Sequence, residues 1–247
     1  MKGFALLLTL VLASCSTKVW HTASIQTSNS RMNDSITADD SILLKMIYPY
    51  KLEKESKMNF VVAENEIKLD KAKPESTLTN WVADIIEESV ELKTNDKIDA
   101  TFLNYGGIRS NYLAKGPVTI GHIFELMPFD NLVVVLRIKG EALQIFCDHI
   151  AKSGGWPVSK SLHFIIKDQK ATQISIKSVP LDPKNIYRIC VPDYVANGGD
   201  DCTFLKEIPQ TTYKYLLRDA ILDGVNRINL QKRKISSISD GRISIQK

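Results

Sequence analysis

The sequence predicts an α/β fold, with a mixed sheet and helices outside it. Three observations carry that prediction. Strand and helix patterns alternate: Met58 to Val62 is extended in type, Leu78, Trp81, Val82 and Ile85 recur at i, i+3, i+4 and i+7, and Ile98 to Leu103 is strand-like again. Leu132 to Ile138 is the most strand-like run in the chain, and a helix follows from Glu141 with Leu143, Phe146, Cys147 and Ile150 on one face. Two of the strand patterns also end in glycine pairs, Gly106-Gly107 and Gly198-Gly199.

A chain of 247 residues fits one large or two small domains and can bury a substantial core. Its 44% hydrophobic and 24% charged content are ordinary for a soluble globular protein. The net charge of +4 is mild and no dense Lys/Arg block is present, so a nucleic-acid polymer is not an expected partner.

Residues 1–14 read as a leader: Met1-Lys2 is positive, Phe4 to Ala13 is apolar, and the run is too short to span a bilayer. Leu12-Ala13-Ser14-Cys15 resembles a bacterial lipobox, which implies cleavage before Cys15, lipidation of that thiol and a membrane-anchored lipoprotein of the cell envelope, periplasmic or on the outer membrane. An ordinary secretory peptide with an incidental cysteine is the simpler alternative. Residues 15–37 are rich in Ser, Thr and Asn and read as a tether, which leaves 38–247 as the folded domain. Asn33-Asp34-Ser35 fits a glycosylation acceptor pattern, which means little beside a bacterial lipobox.

Within the domain, Ile42, Leu43, Met46 and Ile47 predict a short helix before the first strand. The helix carrying Leu78 and Trp81 has Ser76 and Thr77 as caps and ends at the polar turn Lys93 to Asp96. Gly116 to Gly121 is a turn and short extended piece, and His122 to Met127 a short helix stopped by Pro128. The helix from Glu141 ends at Ser153-Gly154-Gly155. Later strands are predicted at Leu162 to Ile166, Gln173 to Ser178 and Tyr187 to Val191, and a last helix at Tyr213 to Asn226.

Two loops carry candidate chemistry. In Asn104-Tyr105-Gly106-Gly107-Ile108-Arg109, the glycines permit a sharp turn with φ > 0 and clear side chains away, Asn104 offers an amide and Arg109 a planar cationic fork. Taken alone, this reads more simply as a tight turn with an exposed arginine. Pro192 to Asp200 places Tyr194 before a glycine pair and Asp200 just after it. An aromatic face can stack on a planar heterocycle, and a carboxylate can accept hydrogen bonds from the two vicinal hydroxyls of a sugar. Phe129, on the loop after Pro128, could supply the opposite face. As isolated residues, Phe129 and Tyr194 are more simply core aromatics.

Taken jointly, Asn104 to Arg109, Gly116 to Gly121, Pro128 to Asn131 and Tyr194 to Asp200 resemble the C-terminal domain of the 5'-nucleotidase/UDP-sugar hydrolase family. Glu75 to Asp84, Gly155 to Ser159 and Arg218-Asp219 add to the resemblance, which runs from about residue 40 to 225 in the family's order. It implies four layers, helix-sheet-sheet-helix, and a substrate-binding role. Phe129 and Tyr194 are then the two stacking walls around a nucleobase, Asp200 the partner of the ribose hydroxyls and Asn104 a contact to the base. Arg109 becomes a clamp on phosphate or on the carboxylate side of the substrate, while Gly106 and Gly107 allow close approach. Family members carry hydrolysis on a separate two-metal metallophosphoesterase domain.

Three departures shape the expected function. Roughly 25 residues lie between Cys15 and the first helix, too few for a metallophosphoesterase domain, and His21, His122, His149 and His163 form no paired His/Asp metal motif, so they read as structural or exposed. Tyr105 stands where the family usually has glycine, and Tyr194 where phenylalanine is common. No arginine is present near Thr77, where some members hold phosphate. The resemblance therefore implies a nucleotide- or nucleoside-binding subunit with no metal or other cofactor of its own, completed by a separate metallophosphoesterase that carries the divalent metals. The alternatives are a stand-alone nucleoside- or nucleotide-binding lipoprotein and a scaffold with a decayed pocket. After Cys15, Cys147 reads as core, while Cys190 and Cys202 flank the Tyr194 loop and could close it as a disulfide, with one cysteine left over.

Overall fold

The structure, a computed structural model, describes residues 21–29, 31 and 41–246. The leader, the lipidation site at Cys15 and part of the tether lie outside the described residues; 21–29 is exposed and has no regular secondary structure. The chain divides into two units, 1–46 and 47–247.

The first described helix, α1, runs Ser41–Met58 and buries none of its residues. It is far longer than the short helix expected at 42–47, and it displaces the first strand, expected from Met58, to β1 at Val61–Asn65. The extension is the charged stretch after Pro49, where Lys51–Glu55 and Glu53–Lys57 pair at i,i+4 spacing, 3.8 and 2.7 Å apart.

In the second unit, β1 pairs antiparallel with β5 (Gly116–Thr119), and β2 (Leu69–Asp70) with β4 (Tyr112–Leu113). Helix α2 (Thr77–Thr94) starts at the predicted cap: Ser76 Oγ accepts from Thr79 N, Thr79 Oγ1 accepts from Ser76 N, and Asn95 closes the far end at φ 57°. Helix α3 (Ile120–Leu126) is capped by Thr119, which exchanges bonds with His122, so that histidine is structural.

The central sheet has the order β11-β6-β10-β3. Strand β10 (Ile186–Pro192) runs antiparallel to β6 (Leu132–Lys139) along its whole length and parallel to β3 (Ala100–Thr101), through Ile189↔Ala100 and Cys190↔Thr101. Along β6 the alternation is clean: Val133 and Val135 enter one core with α2 and α6 (Leu217–Leu230), while Val134, Leu136 and Ile138 enter the other. That second core is completed by α4 (Gly140–Lys152) and by β7 (Leu162–Lys167) and β8 (Lys170–Ile176). The second sheet, β12-β7-β8-β9, adds β9 (Val179–Pro180) and β12 (Ile243–Ile245); β12 is parallel to β7 and β8 antiparallel to it. The expected α/β class with mixed sheets is therefore what the chain adopts.

Two further expectations are corrected. The last helix begins at Leu217, because Gln210–Leu216 forms β11 against β6; Thr211, Thr212, Tyr213 and Tyr215 are β-branched or aromatic, and the helical period belongs to Leu217, Ala220, Ile221 and Val225. The suggested Cys190–Cys202 disulfide is absent: both are free thiols. The physical reason is sidedness, since Cys190 faces the first core from β10 and Cys202 belongs to the second. Burial pushes the Cys190 and Cys202 thiols up to about 12, which leaves them protonated at neutral pH.

The C-terminal segment is tied to α2 by Arg242, a buried guanidinium that bonds both carboxylate oxygens of Asp84 at 2.8 and 3.0 Å, and Asp240 at 2.7 Å. No helix among the described residues is long and apolar enough to cross a membrane.

Glu87 of α2 is buried, accepts from Ser161 Oγ at 2.6 Å and leaves Oε2 without a protein partner. Burial raises its carboxyl above the usual range, against the lowering effect of the Ser159 and Ser161 hydroxyls. The folded state therefore holds this proton more tightly than the unfolded chain. Its stabilising contribution is full below the ordinary carboxylate value of about 4.3 and is lost as pH rises through the raised folded value. Glu87→Gln, which keeps the hydroxyl contacts, should gain in melting temperature over the wild type between pH 4 and pH 7. A constant difference across that range would show that the carboxyl does not titrate anomalously.

Candidate functional site

The site lies at one end of the central sheet. Strands β3 and β10 run parallel and release their chains at the same edge, while antiparallel β6 enters there. Asn104 follows β3, Phe129 and Asn131 precede β6, and helix α5 (Asp193–Ala196) follows β10 with Tyr194 on it. The loop beyond β3 is a 3-10 turn, Tyr105–Gly107, and the loop beyond α5 contains a second, Gly199–Asp201.

These loops enclose a cleft of about 350 Å³, lined by Asn104, Gly106, Gly107, Phe129, Asn131, Tyr194 and Asp200. That volume is at the lower end of the range for small-molecule sites, ~300–1,000 Å³. Phe129 and Tyr194 remain 44% and 48% exposed, so neither is the core aromatic that isolated residues of their type usually are. The floor is polar and joined across 96 positions of sequence: Asn104 Nδ2 donates to Asp200 Oδ2 at 2.8 Å. Tyr194 Oη donates to Asp200 Oδ1 at 3.2 Å and accepts from Asp200 N at 3.3 Å, so one hydroxyl fixes both the carboxylate and the backbone of the loop. His149 of α4 holds the same residue from the other side, 2.9 Å from Nε2 to the Asp200 carbonyl oxygen. A carbonyl only accepts, so Nε2 carries the hydrogen. Asn104 Oδ1 is buried with no protein partner.

The glycines serve proximity more than turning. Gly106 and Gly107 do not occupy the φ > 0 region expected of them. A Cβ at Gly107 would stand 2.8 Å from Asn104 Oδ1, and one at Gly199 would stand 2.5 Å from the Tyr194 ring. Positive φ falls instead on Gly198, at 91°, and on Asp200 itself, at 49°.

Six of the seven predicted site residues share the cleft. Arg109 does not line it: its guanidinium carbon stands 5.9 Å from the centroid of the Phe129 ring, a cation–π position on one of the walls. Asn131 is a lining residue that the sequence does not single out for chemistry. Nor does the sequence reveal the part played by Arg218 of α6, although Arg218-Asp219 belongs to the family resemblance. This buried guanidinium donates to the carbonyl oxygens of Met127, Pro128 and Phe129 at 3.4, 3.1 and 3.4 Å, and to Asp130 Oδ1 at 2.6 Å. It also lies 4.2 Å over the Phe124 ring. The loop that presents Phe129 is thus held by its backbone, a role with no local sequence signal.

A planar ring can stack on an exposed aromatic side chain, and the Asp200 carboxylate offers acceptors in the same cleft. Among the described residues no group of three or more His, Cys, Asp or Glu side chains is placed to hold a metal ion.

Comparison with known proteins identifies the domain. Residues 60–207 match the family described as 5'-nucleotidase, C-terminal domain. The chain belongs to that family. Among curated relatives, it is 24% identical over 169 residues to Protein UshA of Escherichia coli strain K12, a match covering 66% of this chain and 30% of that one. It is 27% identical over 175 residues to a 5'-nucleotidase of Vibrio parahaemolyticus, covering 68% of this chain and 30% of the relative. Among solved structures, a 5'-nucleotidase precursor from Thermus thermophilus superposes with a TM-score of 0.69 at 24% identity, covering 84% of this chain and 43% of that chain. The chain thus matches less than half of the length of each of these three proteins.

Arg218→Met keeps most of the side-chain volume and removes the donors. It should cost about 1–3 kcal/mol of stability and speed amide hydrogen exchange at residues 127–131 while the Tyr194 loop stays protected. Uniform exchange across both loops would mean that Arg218 does not hold the Phe129 loop.

Proposed function

We propose that this chain is the substrate-binding part of a 5'-nucleotidase-type phosphohydrolase, taking a nucleotide or nucleoside into the cleft between Phe129 and Tyr194. The observation that carries the proposal is the pairing of two exposed aromatic walls with a prearranged carboxylate–amide floor. In it the base stacks between Phe129 and Tyr194, Asp200 accepts from the ribose hydroxyls, and Asn104 borders the base while its amide N–H holds that carboxylate. Because Tyr194 and Asn104 already orient the Asp200 carboxylate, little ordering is left for the ligand to impose.

Hydrolysis of a phosphate ester in this scheme needs divalent metals, which activate water and offset developing charge. The described residues offer them no donor set, so we assign the metals to a separate metallophosphoesterase that this chain completes by presenting the substrate. In the same proposal Cys15 is the lipidation site that keeps the domain at the membrane of a bacterial envelope, facing the periplasm or on the outer membrane.

The test is calorimetric titration of the purified chain with adenosine, AMP and a UDP-sugar, beside a phosphatase assay with Mn²⁺ or Zn²⁺. Binding without turnover is expected, with turnover gained on adding the metal-bearing partner. Turnover by this chain alone would overturn the division of labour, and absence of binding would overturn the cleft.

The Tyr194 hydroxyl gives a sharper expectation. Tyr194→Phe keeps the aromatic wall and releases Asp200, so adenosine should lose roughly threefold to tenfold in affinity while 2',3'-dideoxyadenosine is nearly unaffected. Equal losses for both ligands would mean that Asp200 does not read the sugar hydroxyls.

A further inference from the structure

Asp200 carries the sugar contact in the cleft, and its backbone is strained. It stands at φ 49° and ψ 43°, and Asp201 after it at φ 63°. Aspartate enters the left-handed region only as an isolated residue, so two in succession persist where neighbours over-determine them. Asp200 is exposed, so packing does not supply that hold. Hydrogen bonds do. Asn104 and Tyr194 bond the carboxylate from within the cleft, and Tyr194 Oη also accepts from the Asp200 N–H. The carbonyl of the same residue receives His149 Nε2 at 2.9 Å and a longer contact from Cys202 Sγ at 3.7 Å.

His149 is built to hold that one atom. It lies in the last turn of α4, whose Leu143, Phe146, Cys147 and Ile150 are anchored in the second core. Its ring meets two others edge-on, 5.7 Å from Trp156 at 90° and 5.9 Å from Phe204 at 63°. Phe146, on the buried face of α4, reaches both of those rings, at 5.9 and 6.1 Å. The imidazole is thus oriented by aromatic neighbours, and its N–H is spent on the backbone of the strained loop. None of these four rings lines the cleft.

We propose that His149 is a positioning residue for sugar recognition: through the Asp200 carbonyl it keeps that backbone left-handed, and the carboxylate aimed at the ligand's vicinal hydroxyls. The inference rests on the cleft reading and adds to it a residue that touches no part of the ligand. Without the bond, residues 200 and 201 relax toward ordinary backbone and the carboxylate leaves the Asn104 and Tyr194 donors. The loss falls on ligands that carry the hydroxyls. A ligand without them still stacks on Phe129 and Tyr194, which stand on other segments of the chain.

The experiment is calorimetry of the full chain with adenosine and 2',3'-dideoxyadenosine, in the wild type and three variants at position 149. His149→Phe keeps a ring against Trp156 and Phe204 and removes the donor. Adenosine should then lose roughly threefold to tenfold in affinity, and dideoxyadenosine less than about twofold. Glutamine places an amide N–H near the reach of Nε2, so His149→Gln should bind adenosine within about twofold of the wild type. His149→Asn, one carbon shorter, should behave as His149→Phe does. Tyr194→Phe and His149→Phe release the same residue, so their combined loss should fall short of the product of the single losses. Should His149→Phe fail to fold, the contrast between the glutamine and asparagine variants decides the matter. Equal losses for both ligands, or an adenosine preference that survives in the phenylalanine and asparagine variants, would overturn the positioning role and leave the cleft standing. A wild type that binds both ligands equally would overturn it together with the sugar contact at Asp200, and one that binds neither would overturn the cleft as well.

Discussion

The parallel contact of β3 with β10 is the constraint on which the site depends. Only two residue pairs define its register, Ile189↔Ala100 and Cys190↔Thr101, yet the two strands are far apart in sequence and leave the sheet at the same edge. Hydrogen bonds extend the contact at both ends: Asp99 N donates to the Arg188 carbonyl at 2.7 Å and Phe102 N to the Cys190 carbonyl at 2.9 Å. Antiparallel β6, on the other side of β10, must begin where β10 ends, which delivers Phe129 to the same place. A slip of one residue in β10 would exchange its two faces, sending Cys190 into the second core and Ile189 and Val191 into the first. Both faces of the sheet are packed, so that slip is opposed from either side.

Given that register, the walls of the cleft are held by different means. The Tyr194 wall is fixed through its own hydroxyl, which bonds to Asp200, and through His149 on the Asp200 carbonyl. The Phe129 wall is fixed through its backbone, whose carbonyls converge on a buried arginine. The first arrangement ties the aromatic wall to the polar floor. In the second, the phenyl ring makes no hydrogen bond and the rigidity comes from α6, which packs in the first core.

What is legible in the sequence follows from the range of the forces involved. Helix caps such as Ser76, the strand at 132–139 and the helix after it depend on neighbours a few residues away, and the sequence shows them correctly in type and nearly in extent. The joint motif brings Asn104, Phe129, Tyr194 and Asp200 to one cleft because their types and order survive without their distances. The glycine pair at 106–107 suggests a turn with φ > 0, whereas its use is clearance for the Asn104 amide, a contact that needs coordinates to see. Strand β11 resembles the start of a helix since Tyr213 and Leu216 fit a helical stripe locally, and only pairing with β6 decides against it. Arg218 is visible as a residue and invisible as a clamp, because its acceptors are backbone oxygens about ninety positions away.

Tyr194 and Tyr105 act in opposite electrostatic senses. Tyr194 turns a polar hydroxyl toward an anion, donating a hydrogen to Asp200 and keeping that carboxylate aimed into the cleft. Tyr105 turns the negative face of its ring toward cations, collecting Lys71 and Lys73. Between them lies Asn104, whose amide N–H goes to the acidic side and whose Oδ1 stays unpaired. Asp200 thus gives the cleft an acceptor-rich floor, while the ammonium groups gather on the ring of the residue that follows Asn104 in the chain.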